Sequence, residues 1–290
     1  MNETVHQGHA GGGRPSLYVV ATPIGNLADI TLRALEVLKH ADVVAAEDTR
    51  NAQHLLKHHG ITTKLFSLHE HNERTAAQKL IGLLGEGKSI ALITDAGTPA
   101  ISDPGALAVA AVREAGYAVV PVPGPNAAIC ALSAAGMPAP HFLFYGFLPQ
   151  NATARARELG TLKPSSHLLV FYEAPHRVLA SVKAMHEVLG ERTITIAREL
   201  TKLFETIHTC ALSDAAAWFE SDANQLKGEF VLLVAGSDAA AAPHEEEIKR
   251  VLEVLLVEVP LRQAVKLAVE ITGARKNDVY ELALKLNKRA

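Results

Sequence analysis

Between Ser16 and Gly136 the chain alternates short β-branched runs with amphipathic stretches. The runs LYVVA, DVVAAE, TKLFSL, SIALIT and YAVVPV predict strands, bounded by glycine, proline and aspartate. Between and after them, DITLRALEVLKHA, NAQHLLKHHG, ERTAAQKLIGLLGEG, PGALAVAAVREAG and PNAAICALSAAG carry apolar residues at helical spacing. Such alternation predicts βαβ units and a mainly parallel sheet. Gly60, Gly116 and Gly136 stand where helices end on a left-handed residue.

A second alternating region begins near His141, with strands at FLFYGFL, HLLVFYEA, TITIARELT, ETIHTCAL and EFVLLVAG and helices at RVLASVKAMHEVLG and DAAAWFES. Two of these strands follow each other without room for a helix, which predicts a mixed sheet. The alanine-rich bridge GSDAAAAPHEEE then leads to a segment that is helical throughout. The expected organisation is therefore a disordered tail over 1–14, an α/β domain over 15–136, a second α/β domain with a mixed sheet over 137–236, a linker over 237–247 and a small all-helical domain over 248–290.

Composition narrows the class. With 290 residues, 48% hydrophobic and 20% charged, the chain can form more than one core, and disorder is expected only at ends and linkers. A net charge of -3 excludes a surface coated in positive charge but permits a local basic patch. Cys130 and Cys210, in apolar surroundings, read as reduced buried thiols. No apolar run reaches the roughly 20 residues of a membrane span, and the amino terminus lacks a signal-peptide pattern. A soluble cytoplasmic protein is expected.

The unusual polar segments fall just past the carboxyl ends of the first five strands: TPIGNL, EDTR, HEHNE, TDAGTPAISDPG and PGPNA. In open α/β sheets that edge forms the ligand crevice. The longest of these loops, residues 94–105, has the glycines of a phosphate cradle but neither the G-x-x-x-x-G-K-[ST] nor the G-x-G-x-x-G spacing, and it carries two aspartates. A neutral or cationic ligand suits it better than a polyphosphate.

The segments ATPIGNLADIT, AAEDTR, TDAGTPAISDPG, PVPGPNA, FYEAPHR and ARELTKLFE, in this order, resemble the signatures of the small-subunit ribosomal RNA methyltransferases within the tetrapyrrole (corrin/porphyrin) methylase superfamily. The resemblance runs from about Leu17 to Gly236. It implies a homodimer of two α/β domains that uses S-adenosylmethionine to methylate the ribose 2′-oxygen of a cytidine in the decoding region of 16S ribosomal RNA. The donor is then expected against Pro23, the backbone of Asp95, Ala96 and Gly97, the Ile101–Ser102 turn, and Tyr172, Glu173 and Ala174. Its sulfonium cation accounts for a loop rich in carboxylates and carbonyls. Tetrapyrrole methylases proper carry Gly-Asp-Pro where this chain has TDAG, so contacts do not transfer one for one.

A proton acceptor for the ribose hydroxyl is sought among Glu47, Asp48, Glu73, Lys202 and Glu205, with Glu47, Asp48 and Lys202 foremost. Arg50, Arg177 and Arg198 are candidates for RNA phosphates because the guanidinium fork matches phosphate oxygens. His54 and His58 share a helix face, and His69 and His71 point to opposite faces if the third strand continues, so no metal site is expected. Trp218 and Phe219 read as packing anchors. At the carboxyl end, two apolar-periodic helices flank TGARKND, with Gly273 in the turn and Asn277 or Asp278 as the cap. From Arg262 to Arg289 seven basic residues, Arg275 and Lys276 among them, face three acidic ones, which suits a phosphate backbone. A corrin- or porphyrin-precursor methylase and a nucleic-acid-binding regulator that senses S-adenosylmethionine remain as alternatives.

Overall fold

The computed structural model describes residues 14–138, 140–237 and 245–287. The tail before Arg14, most of the stretch expected to be a linker, and Lys288 and Arg289 of the basic patch lie outside the described residues.

The first sheet is built from β1 (Ser16–Val20), β2 (Val43–Ala46), β3 (Lys64–Ser67), β4 (Ile90–Ile93) and β5 (Ala118–Val122), all parallel in the order β3-β2-β4-β1-β5. Helices α1 (Leu32–His40), α2 (Thr49–His58), α3 (Glu73–Gly85) and α4 (Ala106–Glu114) cover its faces, and α5 (Ala127–Ala134) follows β5. Strand β4, IALI, is buried along its whole length, as a continuous apolar run in a doubly covered parallel sheet must be. The connections after β1 and β4 leave in opposite directions, so the crevice of this sheet opens between these two neighbours.

In the second sheet, β6 (Phe142–Phe147), β7 (Leu168–Glu173), β8 (Thr193–Arg198), β9 (Thr206–Ala211) and β10 (Phe230–Val234) run in the order β6-β7-β10-β8-β9. Only the β6–β7 pair is parallel, so the sheet is mixed as expected. Helices α6 (Ala152–Leu162), α7 (Val178–Leu189) and α8 (Leu212–Ser221) pack on one face. The periodicity reading missed α6 because Arg155 occupies an inward position of its stripe, buried beside Leu159 and Leu162, with a guanidinium N–H donated to the Gln150 carbonyl. The other face receives α5, whose Ala128 and Ala131 meet Leu168, Val170, Ala197 and Leu233. Thus the last helix of the first alternating region packs on the second sheet and draws the two sheets together. Phe219 is fully buried, and Trp218 stacks on His208 at 4.6 Å, so this pair does pack.

Helices α9 (Glu245–Glu258), α10 (Leu261–Thr272) and α11 (Lys276–Asn287) have a core of their own around Leu252, Ala264, Ala268, Val279 and Ala283. Gly273 turns the chain with φ of 70°, and its N–H is donated to the Val269 carbonyl. Neither Asn277 nor Asp278 is the cap. The helix begins earlier, the Arg275 carbonyl accepting from the Val279 N–H, which places Asp278 in the first turn, where the positive end of the helix favours it.

Candidate active site

Side chains at the carboxyl ends of the first sheet fix the loops before any ligand is considered. Asn26, Thr31, Asp48 and Asn126 each accept a backbone N–H at the start of the helical turn they precede. Past β1 and β4, Thr22 and Gly97 exchange both backbone hydrogen bonds, at 2.9 and 3.0 Å, across the crevice between these strands. Gly97 has φ of 79°, a region that a side chain disfavours. Thr98 Oγ1 is donated to the Pro125 carbonyl and ties in the loop after β5.

The loop from residue 98 to 105 holds Ala100 and Ser102 at φ of 68° and 61°, unusual for residues with a Cβ. Its far end is held by Glu73, which is buried, with Oε1 accepting the N–H groups of Gly105, Leu107 and Ala108 at 2.8–3.1 Å. Glu73 therefore caps α4 and is no proton acceptor for a substrate. His69 and His71 lie past the end of β3, and their rings meet edge to face at 6.0 Å rather than diverging along a strand.

Between the two sheets lies a cleft of about 290 Å³, walled on one side by Ile24, Ala96, Gly97, Ile101 and Asp103 and on the other by Phe147, Tyr172, Glu173, Ala174 and Phe230. Six expected donor contacts, Ala96, Gly97, Ile101, Tyr172, Glu173 and Ala174, come together here, while Pro23, Asp95 and Ser102 sit on the same loops but do not line the cleft. Tyr172 joins the walls, its hydroxyl accepting the Ala128 N–H at 3.2 Å. Gly25 is where the first wall meets Lys202. A Cβ there would stand 2.4 Å from Lys202 Cγ, so any side chain at this position would displace Lys202.

The charged candidates separate sharply. Asp48 is bound to Arg50 at 2.6 Å, and this hydrogen bond holds its carboxyl down to about 2, which makes it a poor proton acceptor. Asp95 is tied to the start of α2, accepting from the Asp48 N–H and from Asn51 Nδ2. Lys202 is no base either. Burial lowers its basicity, but bonds of 2.7 Å to Glu229 and 2.9 Å to Glu199 outweigh that and raise its pKa, so it stays an ammonium ion. Glu205 accepts the Thr201 N–H. Burial, with the charges of Asp95 and Asp48, pushes the Glu47 carboxyl up, against the lowering bond from the Asp95 N–H.

Asp103 is the acid that sequence reasoning passed over. It is half-buried, faces the cleft, and among the described residues has no ion-pair partner. Burial first, then the charges of Glu47 and Asp95, push its pKa up to about 6, against the lowering effect of the nearby Thr94 hydroxyl. The sequence signal was an aspartate in the middle of a loop that lines a crevice, but turn chemistry explains such a residue equally well.

Of the three candidate arginines, only Arg50 projects into solvent, 89% exposed beyond its bond to Asp48. Arg177 is held by Glu173 and the Leu148 carbonyl with 14% of its side chain exposed. Arg198 spends its guanidinium on the Asn224, Lys227 and Phe204 carbonyls and on Thr206. Both arginines brace loops. They do not present a free fork to a phosphate.

Residues 16–216 match the Tetrapyrrole (Corrin/Porphyrin) Methylases family, and residues 242–287 match the RsmI C-terminal HTH domain. The chain is 50% identical over 269 residues to Ribosomal RNA small subunit methyltransferase I of Escherichia coli O157:H7, covering 92% of this chain and 94% of that protein. It is 51% identical over 272 residues to the protein of the same name from Pseudomonas aeruginosa, covering 93% and 96%. Among solved structures, uroporphyrin-III-C-methyltransferase from Thermus thermophilus superposes with a TM-score of 0.55 at 22% identity, over 79% of this chain and 96% of that one. The methyltransferase CobJ does so with a TM-score of 0.58 at 18% identity, over 78% and 95%. These two share the fold. The chain belongs to the ribosomal RNA small subunit methyltransferase I family of the tetrapyrrole (corrin/porphyrin) methylases.

Proposed function

We propose that this enzyme transfers a methyl group to the ribose 2′-oxygen of a cytidine in the decoding region of 16S ribosomal RNA within the small subunit. S-adenosylmethionine is the methyl donor of this family. The observation that carries the reading is the agreement with relatives of one name over more than nine tenths of the chain, joined to a cleft whose chemistry fits the donor. The walls are mainly apolar, and Asp103, without an ion-pair partner among the described residues, faces inward, which suits an uncharged nucleoside joined to a sulfonium cation.

In this reading Ala96, Gly97 and Ile101 hold one side of the donor and Tyr172, Glu173 and Ala174 the other, Glu173 through its backbone because its carboxylate is turned away to Arg177 and Ser181. Pro23, Asp95 and Ser102 support the first wall. Among Glu47, Asp48 and Lys202, only Glu47 is without an ion-pair partner among the described residues. The chain's main contribution is alignment, placing an acceptor oxygen opposite the carbon–sulfur bond. Purified small subunits lacking the modification should accept labelled methyl from the donor at one cytidine, with the label resistant to base removal but mapped to the ribose. Label on a base, or none, would sink the proposal.

The RNA surface we assign to Arg50 and to the α10–α11 turn with Arg275 and Lys276. Arg262, Lys266 and Lys285 add positive charge on the same helices. Replacing Arg275 and Lys276 by glutamine should weaken subunit binding and make the dependence of log affinity on log salt shallower by about one to two units, since each phosphate contact contributes roughly 0.7–0.9. Donor affinity should not change. An unaltered salt slope would remove these residues from the interface.

We extend the reading to a homodimer acting in the cytoplasm. Leu203 and Phe204, 90% and 67% exposed on the loop after β8, offer apolar surface for a second copy. No described helix is long and apolar enough to cross a membrane. Sedimentation of the purified protein at the monomer mass would end the dimer proposal.

A further inference from the structure

We infer that Asp103 is a catalytic residue, the carboxylate that accepts the proton of the attacking ribose hydroxyl; this rests on the methyl-transfer reading above. Five carboxylates line the cleft or stand beside it, Glu47, Asp95, Asp103, Glu173 and Glu229, and three are engaged. Glu173 is bonded to Arg177, Ser181 and its neighbour's N–H. Glu229 holds Lys202, and Asp95 is spent on the start of α2. Glu47 is not part of the cleft wall, whereas Asp103 is. Asp103 also stands two residues past Ile101 in a loop fixed at both ends, by Thr98 on Pro125 and by Glu73 on Gly105, so its position is set by the fold.

The chemistry balances without any further reagent. The acceptor oxygen forms a bond to the methyl carbon while the carbon–sulfur bond breaks, and that electron pair returns to sulfur, leaving a neutral thioether. The hydroxyl proton passes to Asp103, which ends as a neutral acid and releases the proton to water when the products leave. An acceptor must be unprotonated before the reaction and basic enough to take a proton during it, and a pKa near the working pH meets both needs. Burial and the neighbouring charges put Asp103 at about 6. The groups around it are Glu47 at the end of β2, with His69 acting on Glu47, Asp95 at the end of β4, and Tyr172 on the opposite wall, where Lys202 and Glu229 are already paired.

Below pH 6 Asp103 already carries its proton and cannot take up another from the hydroxyl, and above it the basic carboxylate forms. Turnover should therefore rise as pH increases through about 6. Asp103→Asn, similar in shape, should lower kcat by about 10²-fold or more and abolish that limb. Binding of S-adenosylhomocysteine, measured by calorimetry, should stay within about threefold of wild type, because this product has a neutral thioether and no sulfonium for Asp103 to attract. In the ligand-free protein, carboxylate ¹³C resonances should show one aspartate titrating near 6 that is absent from Asp103→Asn. Glu47→Gln removes a nearby negative charge and should move the limb to lower pH without erasing it.

Retained kcat in Asp103→Asn, a persistent limb, or an Asp103 resonance titrating in the ordinary range near 4 would overturn the assignment. So would loss of product-analogue binding with full turnover at saturating donor, which would make Asp103 an anchor. Should the variant fail to fold, the wild-type resonance titration and the Glu47→Gln shift still decide. Failure of the wild-type enzyme to methylate small subunits would instead strike the parent reading.

Discussion

Small subunits carrying a 2′-deoxycytidine at the modified position should bind this enzyme as well as unmodified subunits do, yet take no methyl group. The substitution removes one oxygen and leaves base, phosphate and overall shape in place. If the ribose hydroxyl is the nucleophile, nothing remains to attack the methyl carbon and transfer falls to background. The cleft cannot compensate, because its contribution is to hold two reactants in line, and alignment has no value once one of them is missing. Base methylation predicts a different result, a modest slowing from disturbed position. Filter binding and label incorporation on the same preparation separate the two. Normal transfer to the deoxy substrate would exclude ribose methylation, while loss of both binding and transfer would show the hydroxyl to be a recognition element first.

Much of this architecture was legible in the amino-acid order because its strands are short apolar runs cut by glycine, proline and aspartate, and because a parallel sheet forces its loops to one edge. The segment IALIT could only be a buried strand, and the TDAG turn after it had to face the crevice. The helix α6 was hidden for a local reason: Arg155 turns inward and donates one guanidinium N–H to the Gln150 carbonyl, so a charge sits in the apolar stripe. The placement of α5 was hidden for a different one. Periodicity shows that Ala128 and Ala131 are buried but not against which sheet, and they meet the second.

The chemistry of the site was legible only in outline. Sequence reasoning gathered the carboxylates at one edge but had no means of ranking them, since rank depends on partners distant along the chain. Lys202 loses its candidacy to Glu229, 27 residues away, and Asp95 is occupied by Asn51, 44 residues away. Asp103 gains its candidacy by having no ion-pair partner among the described residues, while burial and then the charge of Glu47, just past β2, raise its pKa. Charge sharing of this kind is set by tertiary packing, which spacing in sequence does not record.

Arg177 offers the sharpest separation between what sequence suggested and what the fold does with a residue. Its Nε and terminal nitrogen bond Glu173 at 2.7 and 2.6 Å, while the carboxylate, with 1% of its side chain exposed, also accepts from Ser181 at 2.5 Å. Replacing Arg177 by methionine keeps much of the side chain's bulk but leaves that carboxylate buried without a cation. Breaking one side of such a pair costs about 3–5 kcal/mol, more than a typical core substitution. The damage should reach the cleft, because Glu173 positions the Ala174 N–H that it accepts at 2.9 Å, in the wall opposite Gly97. The expected result is a marked fall in the denaturation midpoint and weaker donor binding, with the salt slope of subunit binding unchanged. Adding Glu173→Gln should recover part of the stability, since the double variant no longer buries an unpaired charge. A stable Arg177→Met protein that binds its donor normally but shows a shallower salt slope would restore this arginine to the RNA interface.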